Sequence, residues 1–291
     1  MGESFNGFSS SLKEYNQANL RLSTSFRSNF YDRDTDCTIN MTQNRIINNV
    51  CKINLNYVSI CNNFNNIASY NNKFRITVTV SGVPTTSPIV VPPGYYDTVS
   101  LAAKMQSLIN VFAPTVSVVW SAALSRFVVN TNDPLIELRF NVSLPLPANY
   151  LGNNFLYLVG LPLNGQPYEA INTATPFPNP PALFGATSVY IMSNKFVSAK
   201  SVLNVLLPGD SDTIRELQSQ NASEIMALGI TAPYGAYQTY YDQGSDRGEF
   251  VLSQGISLDS IDLKVIDQFG NVLETDSVNT PIYYSFKVSY Q

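Results

Sequence analysis

The chain has 291 residues, of which 13% are charged and 44% are hydrophobic, and its formal net charge is −4. It contains no histidine, which excludes Ser-His-Asp and Cys-His hydrolases, histidine-bound zinc and imidazole-based pH sensing. The small negative charge gives no basic stripe for a phosphate backbone, and no apolar run approaches the roughly 20 residues of a membrane helix. Abundant asparagine, with 17 Tyr and 16 Phe, instead favours lasting contact with other proteins.

The first 36 residues show neither the period of two that strands have nor the 3.6-residue period of helices. They are rich in Ser and Asn and carry three arginines, Arg21, Arg27 and Arg33. We predict that residues 1–36 form an N-terminal arm, either disordered in isolation or docked on a neighbouring subunit. The three arginines are the interface candidates, expected to pair with acidic groups on a neighbouring protein.

From Arg45 onward, short β-branched and aromatic runs alternate with turn residues, which predicts an all-β protein. The predicted strands are 51–60, 74–80, 89–91, 116–120, 127–131, 135–144, 188–192, 201–206, 249–252, 261–266 and 282–290. Turn residues at 81–84 and 267–271 join closely spaced strands, which favours an antiparallel sandwich or barrel. Proline-rich stretches at 145–147 and 176–181 exclude central strands there.

Two helices are predicted between the strands. The first follows residues 92–94 and can be capped by Asp97 or Thr98. The second runs from a capping box at Thr213 towards Gly229, and its middle is weak enough to break it in two. The apolar faces are formed by Leu101, Met105, Leu108, Ile109 and Phe112 in the first helix and by Ile214, Leu217, Ile225 and Met226 in the second.

The three cysteines, Cys37, Cys51 and Cys61, have spacings that match no zinc pattern, so free thiols are expected. Cys51 is predicted on the buried face of a strand, although a disulfide between Cys51 and Cys61 is an open alternative. We predict no bound metal and no cofactor.

Two acidic clusters are candidate calcium loops. The one at residues 32–36 lacks the glycine and glutamate that an EF-hand needs at the following positions, so it is interpreted as a solvated loop. In the other cluster, Asp242, Asp246 and Glu249 lie around Arg247, which acts as an internal counterion. Whether an ion binds there is left open.

One ordered set of segments resembles a known family. It comprises IVVPPGYY at 89–96, the helix end at 108–110, SRFVVN at 125–130, FLYLVG at 155–160 and SIDLKVIDQFGNVL at 260–273. Together they resemble the penton (vertex) proteins of virophages and Polinton-like viruses, of the mavirus type, and more distantly the adenovirus penton base.

The resemblance implies a single jelly-roll β-sandwich at residues 37–74 and 184–291, with a second, outward-facing β domain inserted at 75–183. It also implies homopentamers that close the fivefold vertices of an icosahedral capsid, in contact with double-jelly-roll trimers of a major capsid protein. The expected location is the virion, a host surface receptor is a possible further partner, and no catalytic site is expected.

A carbohydrate-binding or adhesin-like β-sandwich is the alternative interpretation. Exposed tyrosines and Trp120, the one tryptophan, would then stack on sugar rings, although Trp120 ends an apolar run and is more typical of a core residue. An enzyme on a β scaffold is not favoured, because only carboxylates, Tyr, Lys and Cys remain to supply its chemistry.

Overall fold

A computed structural model describes most of the chain from Asn16 to its last residue. The described residues are 16–26, 33–41, 46–141, 154–161, 168–171, 174–183, 185–193, 195, 224–241, 249–275 and 280–291. The predicted strand at 201–206 and the predicted helix at 213–223 lie outside these residues.

The described elements are mainly strands, which confirms the all-β prediction. The strands are β1 Asn16–Ser23, β2 Asp36–Asn40, β3 Ile47–Cys61, β4 Lys73–Val80, β5 Val83–Val90, β6 Ser117–Ser121, β7 Arg126–Asn130, β8 Ile136–Asn141, β9 Tyr168–Ile171, β10 Thr175–Pro176, β11 Ser188–Met192, β12 Glu224–Gly229, β13 Tyr237–Tyr241, β14 Glu249–Leu258, β15 Ser260–Asp267 and β16 Tyr283–Tyr290. The helices are α1 Thr98–Ile109 and α2 Phe155–Leu158, with a 3-10 helix at Thr24–Phe26. None of the helices in these ranges is both long and apolar enough to cross a bilayer.

Two antiparallel sheets pack face to face and form a sandwich. The first sheet has the order β1-β16-β3-β13, with β14 also paired to β3, and the second has the order β12-β11-β15-β2. Alternate residues of β16, including Tyr284, Phe286 and Val288, point into the shared first core. This two-sheet sandwich agrees with the predicted jelly-roll class.

Strand β1 corrects the expectation that the first 36 residues form no regular structure. Asn16–Ser23 pairs antiparallel with β16 along its whole length, and Leu20 and Leu22 are buried in the first core. Asn19 and Arg21, on either side of Leu20, are exposed, so the alternation of this strand includes only two buried leucines. The N-terminal arm remains a prediction for the residues before Asn16.

Two further sheets enclose a second core. Their orders are β5-β4-β8-β9 and β10-β7-β6. Helix α1 packs against β6 and buries Leu101, Met105 and Ile109 in this core. Asp97 caps this helix by accepting a hydrogen bond from the backbone N–H of Ser100 at 2.6 Å. The helix ends at Ile109, so the prediction that Phe112 lies on its apolar face is wrong, and Phe112 is exposed.

The predicted second helix is wrong at its end, because Glu224–Gly229 forms strand β12. Its pairing with β11 shifts register between Ile191 and Met192, which leaves Ile225 as an extra residue opposite them. Because of this bulge, Ile225 and Leu228 are both buried although they lie three residues apart. That spacing imitates the apolar face of a helix.

Candidate functional site

The outer face of the first sheet carries four tyrosines and one arginine. The residues are Tyr57, Tyr237, Tyr241, Tyr283 and Arg21, and we call this surface the tyrosine face. Tyr241 is 65% exposed, Tyr237 51% and Tyr283 44%. Large exposed aromatic side chains on one sheet face are typical of a surface that binds another molecule.

Strand alternation and one bulge direct these side chains outward. In β13, Tyr237 and Tyr241 are exposed whereas Tyr240 packs against the first core. In β3, Leu55 pairs with Phe286 and Tyr57 pairs with Ser285, so the intervening Asn56 has no partner in β16. This extra residue lets Tyr57 lie on the outer face between the buried Leu55 and Val58.

Three of these tyrosines, Tyr57, Tyr241 and Tyr283, line one groove together with Arg21. Tyr57 and Tyr241 are paired across neighbouring strands, and their ring centroids lie 5.0 Å apart at 55°. Arg21 is paired with Ser285, which in turn is paired with Tyr57. The groove has a volume of about 430 Å³ and is lined by Arg21, Leu22, Tyr57, Tyr241, Tyr283, Tyr284 and Ser285.

The titratable groups here favour neutral forms. Burial raises the pKa of Tyr237, and the charges of Cys61, Tyr283 and Asp34 add to that shift. Burial also raises the pKa of the Cys61 thiol. At neutral pH these groups are therefore a phenol and a thiol, and the tyrosine face combines neutral aromatic rings with the cation of Arg21.

The three candidate arginines have different environments. Arg21 is exposed and belongs to the tyrosine face. Arg33 donates a hydrogen bond from Nη1 to Oε1 of Glu274 in the same chain at 3.1 Å. Arg27 lies outside the described residues. Pairing of the arginines with a neighbouring protein stays a prediction.

Residues 62–72 link the two cores, and most asparagine side chains of this link hydrogen-bond to other parts of the chain. Five of its six asparagines donate hydrogen bonds within the chain: Asn62 to Ala232 O at 2.6 Å, Asn63 to Thr280 Oγ1 at 2.8 Å, Asn66 to Tyr96 O at 2.8 Å, Asn71 to Asn66 O at 3.3 Å and Asn72 to Val91 O at 2.8 Å. Sequence reasoning assigned the abundant asparagine to contacts with other proteins and missed this role. The density of asparagine between two apolar runs was the available signal.

A cleft lies beside this link, between the two cores, and we call it the junction cleft. Its volume is about 280 Å³. It is lined by Asn65, Asn66, Tyr70, Asn71, Tyr157, Leu158, Ala182, Gly185, Ala186, Thr187, Asp267, Gln268, Phe269 and Leu273. Residues from the link, from α2 and from the turn after β15 therefore share one concave surface.

The remaining candidates form no site within the described residues. Cys37, Cys51 and Cys61 are free thiols, so the alternative of a disulfide between Cys51 and Cys61 is wrong. Cys51 is half-buried rather than on the fully buried face.

In the described part of the chain no group of three metal-ligating side chains comes together. Asp242 and Asp246 lie outside that part, so the open question of an ion there is not tested.

Trp120 is half-buried against the second core. Its ring meets Phe127 edge to face, with centroids 5.4 Å apart. This packing leaves only part of the indole available as a platform for a sugar ring.

Comparison with solved structures matches the chain to two virophage structures. No protein-family profile and no curated protein match the chain. The crystal structure of the mavirus penton protein is 10% identical, with a TM-score of 0.47, and the alignment covers 96% of this chain and 100% of that one. The 3.5 Å cryo-EM structure of the Sputnik virophage is 11% identical, with a TM-score of 0.41, over 95% of this chain and 98% of that one.

Proposed function

We propose that this chain is a structural protein of a viral capsid: a penton protein whose homopentamers close the fivefold vertices of an icosahedral virion. In this role it contacts double-jelly-roll trimers of a major capsid protein, and a host surface receptor is a possible further partner. The proposed function depends on shape and contact and involves no catalysis.

The observation that carries the proposal is the way the two cores divide the chain. Among the described residues, those of the second core all lie between 67 and 183, whereas those of the first core lie between 18 and 64 and between 186 and 290. A β unit inserted between two strands of a sandwich is the layout that the sequence resemblance implies. We therefore propose a jelly roll at 37–74 and 184–291, to which β1 adds a strand, and an inserted, outward-facing domain at 75–183 whose core also includes Ile67 and Phe74.

The tyrosine face supports assembly as the function of the sandwich. In a cyclic ring each subunit contacts its two neighbours through two different surfaces, and both surfaces must be open on the isolated subunit. Tyrosine and arginine are the residues that contribute most to such interfaces. The exposed Tyr241 and Tyr283 beside Arg21 provide these anchors on one sheet.

The mass of the purified protein in solution tests the proposal. Light scattering after size-exclusion chromatography, over a range of concentrations, should give a particle of five times 32.1 kDa. A monomer at every concentration that also fails to bind the major capsid protein would contradict it. A stable monomer that binds immobilised glycans would support the carbohydrate-binding alternative.

The role of the N-terminal arm needs a deletion that leaves the sandwich complete. Removal of residues 1–36 would also remove β1 and the buried Leu20 and Leu22. Removal of residues 1–15 keeps this strand, and we expect it to weaken incorporation into capsids without lowering the melting temperature. Unchanged incorporation would exclude a docking role for these residues.

A further inference from the structure

Two exposed tyrosines from opposite halves of the chain are stacked where the two cores meet. Tyr95 lies just before helix α1, and Tyr234 lies in the loop between β12 and β13. Their ring centroids are 3.7 Å apart, and the rings are inclined at 16°. Tyr95 is 43% exposed and Tyr234 is 37% exposed. Neither ring belongs to the first or the second core, so core packing does not account for the pair.

The backbone of Tyr95 is held on the link between the two cores. On one side, the Gly94 N–H donates to the Ile67 carbonyl at 2.8 Å, and the Ile67 N–H donates to the Gly94 carbonyl at 3.2 Å. On the other side, the Tyr96 N–H donates to Oδ1 of Asn66 at 2.9 Å, and the amide of Asn66 donates to the Tyr96 carbonyl at 2.8 Å. These four hydrogen bonds fix Tyr95 on the link from both sides.

The loop that carries Tyr234 is held on the same link. The Gly235 N–H donates to the Asn62 carbonyl at 2.8 Å, and the Asn62 N–H donates to the Ala236 carbonyl at 2.9 Å. The side chain of Asn62 donates to the Ala232 carbonyl at 2.6 Å. Because both tyrosines are fixed on one short segment, the fold itself has already met the entropic cost of bringing their rings together.

The stacked arrangement places two phenols in position to react with each other. Ring carbons at this separation are in van der Waals contact, and the exposed part of each ring can be reached by an oxidant in solution. One other ring contact between described residues joins two tyrosines, Tyr57 and Tyr241, but there the centroids are 5.0 Å apart and the rings are inclined at 55°. The pair at the junction of the cores is therefore the closer and the more nearly parallel.

We propose that Tyr95 and Tyr234 are a site of oxidative cross-linking, at which a haem peroxidase with hydrogen peroxide joins the two rings as dityrosine. Each phenol loses one electron and one proton, and the two phenoxyl radicals form a carbon–carbon bond between ring carbons next to the hydroxyls. The hydrogens on those two carbons then move to the phenolic oxygens, which restores both aromatic rings. One molecule of hydrogen peroxide takes up the two electrons and two protons and becomes two molecules of water.

This bond would fasten the second core to the sandwich. Tyr95 leads into α1, which buries its apolar face in the second core, and Tyr234 lies between strands of the two sheets of the sandwich. A covalent bond between residues so far apart in sequence restricts the unfolded chain, as a disulfide that closes a long loop does. The inference goes beyond the proposed capsid function and does not rest on it.

Oxidation of the full chain with a haem peroxidase and limiting hydrogen peroxide tests this site. Dityrosine is measured by its fluorescence, and the joined peptides are identified by mass spectrometry after proteolysis. We expect a product with the mass of a single chain less two hydrogen atoms, in which the peptides that contain Tyr95 and Tyr234 are joined. The oxidised chain should unfold at a higher urea concentration than the untreated chain.

Three conservative variants assign the product to this pair. Tyr95→Phe and Tyr234→Phe each keep a ring in the stack and remove its phenol. Each should lower the yield of dityrosine within the chain about tenfold or more, because the remaining phenol has no partner already in position. Tyr241→Phe is the matched control and should leave the yield of the Tyr95–Tyr234 product unchanged.

The proposal would be overturned if these joined peptides do not form while free tyrosine added to the same mixture is coupled. It would also be overturned if Tyr95→Phe and Tyr234→Phe give the wild-type yield, or if dityrosine forms only between chains. An unchanged urea midpoint after cross-linking would exclude the fastening of the two cores. Because the bond forms within one chain, a negative result leaves the penton proposal untouched, and a monomer in solution leaves this proposal untouched.

Discussion

The guanidinium of Arg33 lies 3.1 Å from the carboxylate of Glu274, a residue 241 positions further along the chain. The same carboxylate accepts a hydrogen bond from the backbone N–H of Ser69 at 2.9 Å and another from the Ser69 hydroxyl. Glu274 therefore ties a residue just before β2 to the link between the two cores. This contact fixes the position of the link relative to the sandwich.

Glu274→Gln should destabilise the protein in a pH-dependent way. Burial raises the pKa of Glu274, but the hydrogen bonds from Ser69 and the charge of Arg33 outweigh burial, so the net shift is downward. A carboxyl group whose pKa is lower in the folded state stabilises the fold above its unfolded pKa and loses that contribution as the pH falls through its folded pKa. We expect a loss of about 1–2 kcal/mol in the free energy of unfolding near neutral pH.

Urea unfolding of the wild type and Glu274→Gln, from about pH 7 down to about pH 3, checks this expectation. The difference between the two proteins should narrow below the ordinary glutamate pKa of about 4.3. Arg33→Gln is the matched control, and because the Arg33 side chain is 58% exposed it should cost less. A difference that stays constant across this range would show that the carboxylate charge does not contribute.

Substitutions on the tyrosine face should weaken self-association. Tyr241→Ala and Arg21→Glu should each raise the dissociation constant of the oligomer about tenfold or more, because each removes an anchor of the groove. The effect of Arg21→Glu should shrink as salt is added, since an exposed charge is screened. Sedimentation velocity over a concentration series measures both changes.

Tyr157→Ala provides the matched control for Tyr241→Ala, because Tyr157 is also exposed but belongs to the second core's side of the junction cleft. It should leave the oligomer intact. If the two tyrosine substitutions weaken the oligomer equally, or if neither weakens it, the tyrosine face is not part of the proposed interface.

The regularly alternating strands β15 and β16 could be predicted from the sequence, and the bulged strand β12 could not. In β16 and β15 every second residue is buried, and the sequence predicted both. In β12 the helix-forming residues Glu224, Met226 and Ala227 and the bulge at Ile225 produce a helical pattern, and only pairing with β11 makes it a strand. The pairing of β12 with β11 makes this segment a strand, and residues close in sequence do not reveal that pairing.

The candidate sites were less predictable than the sheets, because they depend on residues that are distant in sequence. Tyr237, Thr239 and Tyr241 recur at a period of two on one face, and this signal could have identified β13. The outward position of Tyr57 depends on the bulge at Asn56, which is visible only once β3 is paired with β16. The stacking of two tyrosines from different loops is likewise a property of the assembled chain.

The cap of helix α1 offers a test in the second core. The sequence left Asp97 and Thr98 open as the cap, and the structure assigns it to Asp97, whose Oδ1 accepts hydrogen bonds from both the N–H and the hydroxyl of Ser100. Asp97→Ala should lower the free energy of unfolding by about 1 kcal/mol, whereas Asp97→Asn should retain most of the stability. Thermal unfolding followed by circular dichroism measures both, and equal losses for the two variants would contradict a capping role.

Gly160 is expected to be the least replaceable glycine beside the junction cleft. It follows α2 with φ +94°, and a β-carbon at this position would overlap the backbone carbonyl oxygen of Asn179. The same two residues are joined by a hydrogen bond from the Asn179 N–H to the Gly160 carbonyl at 3.0 Å, so the neighbouring chain cannot move away without breaking it. Gly160→Ala should therefore lower the free energy of unfolding by about 3 kcal/mol.

Gly82→Ala is the matched control, because Gly82 has φ +84° but open space around it. Backbone strain alone should therefore lower its free energy of unfolding by about 1 kcal/mol. Equal losses in urea unfolding would show that strain, and not the close approach of Asn179, decides the cost at Gly160.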